Sequence, residues 1–195
     1  MALTTIAEIK ATWLNVESTE HDTRLTALLA QATSRINQIC RQPVDGSSTT
    51  YDFTGLGCGT LFQLPYTVPI VLTATGVKEE LTDSAFTTIT DVSVIKRDRI
   101  WQAFREDGFS EYAHVRLTLT IGYDGVTYTV PSDIANIACE MVANEFRLTD
   151  FAGGGSRLGV DSIGRSEGGT GTTTRYKMMD DVWVKRLRHY TTLEY

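Results

Sequence analysis

The stretch that decides the fold is residues 117–146, "LTLTIGYDGVTYTVPSDIANIACEMVANEF". Alternating apolar and polar residues at its start predict a β-strand, and Asp124-Gly125 suits a tight hairpin turn from which "VTYTV" returns as a second strand. Pro131 cannot donate a backbone hydrogen bond to a strand, and Ser132 or Asp133 can accept from the first free amides of a helix. The stretch therefore predicts a strand, a hairpin and a capped helix in succession.

Both predicted elements have one apolar face. On the strand, alternate positions are apolar, namely Val115, Leu117, Leu119 and Ile121. On the helix, which we expect over about 132–149, residues at helical spacing are apolar, namely Ile134, Ile137, Ala138, Met141, Val142 and Phe146. We expect this helix to bring the chain back from a β-rich region onto the N-terminal helices.

The N-terminal part of the chain predicts two helices. Thr5 followed by Glu8 forms a capping box, which indicates a first helix over about 4–14. A longer helix over 22–40 follows, because apolar residues repeat at helical spacing until Pro43. These apolar positions are Leu25, Leu28, Leu29, Ala32, Ile36 and Ile39.

The middle of the chain, about 45–130, predicts short antiparallel strands. The segment "STTYDFTGLGCGTLFQLPYTVPIVLTATGV" is rich in Thr, Tyr, Phe and Val and is interrupted by Gly and Pro. "FTTITDVSVIKRD" and "YAHVRLTLTIGY" alternate in the same way. We therefore predict an α+β fold for residues 1–151, a single domain in which a helical bundle core carries an inserted antiparallel β region.

Residues 152–195 predict an extended arm that ends in a helix. Eight of the sixteen glycines lie between residues 153 and 171, and such composition favours extended chain. Acidic residues begin the last helix and basic residues end it, matching the helix dipole. Its apolar face comprises Trp183, Leu187 and Tyr190. Two alternatives stay open, because this face could dock on a partner or fold back on the protein's own core.

Composition excludes several classes of protein. The chain of 195 residues has 42% hydrophobic and 22% charged residues, and its formal net charge is −6. These proportions are ordinary for a globular protein, and the charge argues against general affinity for the DNA backbone. The longest apolar runs, such as "VPIVL", are too short to span a bilayer. The N-terminus lacks the pattern of a signal peptide, so we expect the protein to stay in the cell that makes it.

No set of residues predicts a reaction. The three cysteines (Cys40, Cys58 and Cys139) are far apart, and the three histidines (His21, His114 and His189) have no second ligand at metal spacing. "GRSEGG" resembles a serine-nucleophile motif but lies in a glycine-rich segment, and "GGTGTTTR" lacks the lysine of a phosphate loop. We therefore predict no catalytic residue, no cofactor and no metal.

The order of these segments is more specific than any one of them. A helical start ends in "ICRQP", a β region contains "LPYTVPI", "GYDGVTYTVPSDI" leads into a helix, and "VDSIGRSEGG" precedes a terminal "DDVWVKRLRHY". This order resembles the head-tail connector, or adaptor, proteins of tailed bacteriophages over nearly the whole chain. The sequence departs from that pattern in a longer, more glycine-rich stretch after "SIG".

The resemblance implies a virion structural protein and not an enzyme. It implies a homo-oligomeric ring of about twelve copies, assembled in the host cytoplasm and located beneath the portal protein in the virion neck. Such a ring extends the DNA channel, lets DNA pass without sequence-specific binding, contacts no membrane and offers a surface to a downstream tail or neck protein. In the family the helical bundle forms the ring body, the β region faces outward or toward neighbours, and the C-terminal segment enters the portal. The residues that this assigns to the portal interface are Arg175, Tyr176, Lys177, Trp183, Leu187, Tyr190 and Tyr195.

Two readings from other classes remain. A carbohydrate-binding β module of a phage or bacterial protein would present exposed aromatic side chains on one β face, with Tyr51, Tyr66 and Trp101 as the candidates. A hydrolase would need a converging acid, base and nucleophile, which the sequence does not suggest.

Overall fold

The structure is a computed structural model of the chain, and it describes residues 3–54, 61–80, 87–98, 100–109, 114–150, 160–163, 174–176 and 179–192. The chain divides into two compact units. A helical unit comprises Ala2–Ile39 and Pro131–His189, and a β unit comprises Cys40–Val130 with the chain end from Tyr190. The path that we predicted for the glycine-rich arm lies mostly outside the described residues.

The described helices follow the predicted order. They are α1 (Ile6–Glu8), which continues as a π-helical segment (Ile9–Leu14), α2 (Asp22–Cys40), α3 (Ser132–Asp150) and α4 (Met179–Leu187), which ends in a 3₁₀ turn (Arg188–Tyr190). Thr5 caps α1, since its side chain accepts a hydrogen bond from the backbone N–H of Glu8 at 3.2 Å. Thr5 therefore caps the first helix as the sequence predicts, and the carboxylate of Glu8 accepts a hydrogen bond from the hydroxyl of Thr4 at 2.8 Å.

The core of the helical unit is built on α3. All six apolar positions that periodicity assigns to α3 are buried, as are Leu25, Leu29, Ala32 and Ile36 of α2. The Arg147 guanidinium of α3 donates a hydrogen bond to the backbone carbonyl of Trp13 in the π-helical segment. The predicted return of this helix onto the N-terminal part of the chain is confirmed.

The β unit contains two antiparallel sheets. Its strands are β1 (Asp45–Thr54), β2 (Leu61–Leu64), β3 (Ile70–Glu80), β4 (Thr87–Thr88), β5 (Val92–Arg97), β6 (Ile100–Arg105) and β7 (His114–Gly122). One sheet has the order β1-β7-β3-β4, and the other has the order β2-β6-β5. Two further strands in the helical unit, β8 (Val160–Ile163) and β9 (Thr174–Tyr176), pair with each other.

Strand β7 is central to the first sheet. It pairs with β1 on one side and β3 on the other, and its four predicted inward residues are fully buried. The mixed structure is compatible with the α+β class, but the prediction of a helical bundle core with a β insertion is wrong. The sheets bury apolar residues of their own. Strands β1 and β7 pair along their whole length, although about 60 residues separate them in the chain.

The predicted hairpin at Asp124-Gly125 is also wrong. Residues 123–131 form a loop with no returning strand. One carboxylate oxygen of Asp124 accepts hydrogen bonds from the backbone N–H groups of Val126, Thr127 and Tyr128 at 2.8–3.0 Å. Those amides are therefore held by a side chain instead of by a partner strand.

The "LPYTVPI" segment joins two sheets. Strand β2 ends at Leu64 and β3 begins at Ile70, and the two strands belong to different sheets. The segment is therefore a crossing between the two sheets. The carbonyl of Pro69 in this crossing accepts a hydrogen bond from the backbone N–H of Gly122 at 2.8 Å.

Candidate docking surface

The inner face of α4 is buried within the helical unit. The side chain of Trp183 is 5% exposed and that of Leu187 is fully buried. Trp183 lines a cleft of about 180 Å³ together with residues of α2 and α3, and the guanidinium carbon of Arg35 lies 5.8 Å from its ring centre. Of the two alternatives that the sequence leaves open, the structure shows a helix that folds back on its own unit.

The outer face of α4 is apolar and basic. Val182 and Val184 are 39% and 46% exposed, and the side chains of Lys185 and Arg186 lie beside them in solvent. Arg186 forms an ion pair with Glu140 of α3 at 2.6 Å, which links the last helix to the third. We call these four exposed residues, Val182, Val184, Lys185 and Arg186, the outer face of α4. Val182 and Val184 lie on either side of the buried Trp183, because residues two positions apart on a helix point in nearly opposite directions.

Hydrogen bonds from the buried side-chain amide of Gln42 hold the chain end within the β unit. Gln42 is 3% exposed, and its side-chain N–H₂ donates to the hydroxyl of Thr67 at 2.6 Å and to the backbone carbonyl of Tyr190. Its side-chain oxygen accepts from the backbone N–H of Thr67 at 3.0 Å. The backbone N–H of Thr192 donates to the carbonyl of Cys40 at 3.1 Å. Residues 190–192 are therefore held as a part of the β unit.

The residues predicted for a portal interface fall into three groups. Trp183 and Leu187 are buried, and Tyr190 is half-buried with its ring centre 6.4 Å from that of Tyr123. The backbone of Arg175 and Tyr176 lies in β9. Lys177 and Tyr195 lie outside the described residues. The portal interface stays a prediction, and within it Trp183 and Leu187 would position α4 instead of contacting a partner.

Sequence reasoning missed Val182, Val184 and Gln42. Successive residues of a helix point about 100° apart, so the apolar triplet "VWV" at 182–184 cannot lie on one face. This triplet was the available signal that apolar side chains face outward. No comparable signal identifies Gln42, because its partners Thr67 and Tyr190 are distant in sequence.

The aromatic residues of the β unit do not form the predicted carbohydrate-binding face. Tyr51 and Tyr66 are neighbours, with ring centres 5.9 Å apart, and burial raises the pKa of both hydroxyls. Trp101 is only 6% exposed, and its ring lies against Tyr128. A buried tryptophan cannot present its face to a sugar, so one of the three proposed contacts is missing.

The described residues contain no group of three or more His, Cys, Asp and Glu side chains that could hold a metal ion. None of the described helices combines the length and apolar character needed to cross a membrane. Cys40 and Cys139 are buried free thiols, and burial raises the pKa of Cys40 to about 12. Such thiols are unreactive and act as small apolar side chains.

Two solved structures contain a chain of similar fold. One is described as "Neck of empty GTA particle computed with C6 symmetry", and its chain matches with a TM-score of 0.61 at 12% identity. The other is "Virion of native gene transfer agent (GTA) particle", with a TM-score of 0.59 at 13% identity. Each match covers 99% of this chain and 91% of the other. No protein-family model matches the chain, and no curated protein matches its sequence.

Proposed function

We propose that the protein is a structural subunit of a virion neck, where it joins the head to the tail. The observation that carries the proposal is the likeness of fold to a chain of a neck structure, which extends over 99% of the present chain. The order of sequence segments supports the same role independently, since it resembles that of head-tail connector proteins. The protein acts by assembly and not by catalysis.

Within the neck, we propose that the subunits form a ring beneath the portal protein. The neck structure that contains the similar chain was computed with C6 symmetry, and a ring of about twelve copies is compatible with sixfold symmetry. The chain has 24 acidic and 18 basic residues. This net negative charge suits a channel through which DNA passes without binding to the wall. The opposite end of the ring offers the surface for the next tail or neck protein.

The outer face of α4 is the part that we assign to the portal. Its two valines supply apolar contact area, and Lys185 and Arg186 add charge that favours an acidic partner surface. Trp183 and Leu187 hold this face in position from within. Tyr190 and the chain end follow directly in sequence, and Gln42 binds the carbonyl of Tyr190 within the β unit.

The experiment that tests the proposed function removes the gene from the cells that produce the particles. We expect heads and tails to accumulate separately, because the part that joins them is missing, and we expect the wild-type gene supplied in trans to restore complete particles. Electron microscopy of the particles gives the readout. Complete tailed particles formed without this protein would contradict the proposed function.

A second set of strains tests the assigned surface. Particles carrying Val182→Glu with Val184→Glu should lose the neck subunit, since two charges would enter an apolar contact. The matched control is Val126→Glu, which places the same change on a residue that is 91% exposed in the β unit. We expect the control to be incorporated normally, and equal incorporation of both variants would contradict the assignment.

A further inference from the structure

The outer edge of β1, over Ser47–Thr54, pairs with no other strand in the described part of the chain. The strand is at one end of the sheet order, and every residue pair of its ladder joins it to β7, from Asp45 to Thr54. No other described strand or loop forms a backbone hydrogen bond with Ser47–Thr54. An unpaired edge presents a row of N–H and C=O groups that can pair with another strand.

This edge has few of the features that usually prevent such pairing. Residues 47–54 read "SSTTYDFT" and contain no Lys, Arg or Pro, and their one charged residue, Asp52, is ion-paired with Arg116 of β7 at 2.8 Å. The irregularity of the strand is confined to one end, between Asp45 and Ser47. The other described edge strands are blocked or short, because β5 carries exposed Lys96 and Arg97, β2 has four residues and β4 has two. Strand β3 is also covered by β4 only at Lys78 and Glu79, but it has an irregularity between Leu72 and Val77. Strand β1 is therefore the longest regular open edge among the described strands.

The two-stranded β8–β9 ribbon is the second feature, because a ribbon of this size needs a further strand. Val160–Ile163 and Thr174–Tyr176 pair with each other and with no other described strand. A ribbon of four and three residues is at best marginally stable in water, and it becomes stable when a further strand joins it. The same chain thus carries an open strand edge in its β unit and, in its helical unit, a ribbon that pairs with no third described strand.

We propose that the β8–β9 ribbon of one copy adds to the β1 edge of a second copy and extends its four-stranded sheet. This inference rests on the proposed ring, in which each copy must offer two different surfaces that match each other. Main-chain hydrogen bonds to an exposed sheet edge are a common mode of recognition. One such contact is weak, but a closed ring holds every copy on two sides. The assignment places Arg175 and Tyr176 at the neighbouring subunit.

Disulfide trapping between two separately purified chains tests the contact. One chain carries Thr50→Cys in the middle of β1, and the other carries Ser162→Cys or Thr174→Cys in the ribbon. Cys58 is replaced by Ser in all chains, and the buried thiols of Cys40 and Cys139 are kept. The two chains differ in tag size, are mixed under mild oxidation and are separated by non-reducing electrophoresis.

We expect the mixture to form several-fold more mixed disulfide dimer than a control in which Val126→Cys replaces Thr50→Cys. Val126 is 91% exposed, so the control thiol is accessible but lies outside the edge. Equal trapping in the two mixtures would overturn the proposal. A monomeric disulfide in one chain that carries both Thr50→Cys and Ser162→Cys would also overturn it, since the ribbon would then lie on its own chain.

A pair of proline variants gives a second measurement. Successive N–H groups of a strand point to opposite edges of the strand. One of the two variants, Thr49→Pro or Thr50→Pro, therefore removes an N–H that bonds to β7, and the other removes an N–H that points outward. The variant that keeps the wild-type melting temperature is the one that removes the outward N–H. It should reduce trapping at a cysteine placed at Ser48, and undiminished trapping would contradict strand addition.

Failure of this contact and failure of the proposed function are distinguishable. Trapping is measured on the isolated chains, whereas the neck location is measured on particles. A protein found in the neck that forms no mixed disulfide would leave the function in place and remove the β1 contact alone.

Discussion

The side-chain amide of Gln42 donates a hydrogen bond to the backbone carbonyl of Tyr190, 148 positions further along the chain. The same amide group bonds Thr67 through both its nitrogen and its oxygen. A single buried residue, two positions beyond the end of α2, therefore holds both the crossing between the sheets and residues 190–192 of the β unit. Loss of this amide should release the chain end.

Replacing Gln42 by Leu should lower the free energy of unfolding by about 1–3 kcal/mol, because the Tyr190 carbonyl and the Thr67 amide lose their partner in a buried place. Thermal denaturation measures the loss, and carboxypeptidase digestion reports release of the chain end. The matched control is Gln38→Leu, a similar change at an exposed position of α2. An unchanged melting temperature and digestion rate for Gln42→Leu would contradict the role of this residue.

The second prediction separates the two faces of α4. Leu187→Ala removes a fully buried side chain and should cost about 2–5 kcal/mol of stability. Val184→Ala removes a side chain that is 46% exposed and should change stability by no more than about 0.5 kcal/mol. Chemical denaturation measures both. A large loss for Val184→Ala would show that this side chain supports the fold and not a contact surface.

The third prediction concerns a glycine where strand β7 ends. Gly122 has a φ of 101°, and a Cβ built on it would lie 2.4 Å from the carbonyl carbon of Val44. Both the backbone angle and the close approach exclude a side chain. Gly122→Ala should therefore give little folded protein. Gly125→Ala, at an exposed loop position with a φ of 70°, meets only the backbone strain, which costs about 1–2 kcal/mol, and should still fold. Far-UV circular dichroism distinguishes them, and a folded Gly122→Ala protein would be the contrary result.

The fourth prediction concerns the pH dependence of the loop at 123–131. Hydrogen bonds from the backbone N–H groups of Tyr128, Val126 and Thr127 lower the pKa of Asp124 to about 2, from 3.8. A lowered pKa means that the carboxylate stabilises the folded loop above pH 3.8, and that this contribution disappears as the pH falls through about 2. We expect the carboxyl carbon of Asp124 to titrate near pH 2 by NMR. Titration near 4 would contradict the hydrogen-bonded loop.

The same loop can be tested by substitution. Asp124→Ala removes the acceptor of all three amides, so hydrogen exchange at Val126, Thr127 and Tyr128 should accelerate. Asp124→Asn keeps an oxygen at the same place and should preserve most of the protection. Equal acceleration in both variants would mean that the charge of the carboxylate, and not its geometry, holds the loop.

Periodicity in the sequence predicts those parts of the fold that depend on local spacing. The helix over 22–40 coincides with α2, and the six apolar positions of α3 are all buried. The alternation of β7 likewise identifies its buried face. These elements can be predicted because the residues that define each face lie within a few positions of one another.

Features that depend on a competition between hydrogen-bond acceptors, or on partners distant in sequence, could not be predicted. The sequence "YDGVTYTV" favours a hairpin, but the Asp124 carboxylate captures the three amides that a returning strand would need. The division into two units depends on the pairing of β1 with β7, and no local pattern reveals such a pairing. An amphipathic helix such as α4 has the same apolar face whether it packs internally or docks, so Trp183 could not decide between them.

The central claim is that this protein is a neck subunit, and an asymmetric cryo-electron-microscopy reconstruction of the neck of the particles that contain it tests this most directly. We predict a ring of copies between portal and tail, each with the fold described above and with the outer face of α4 turned toward the portal. Particles whose neck density does not fit this fold, or a protein located elsewhere in the virion, would contradict it.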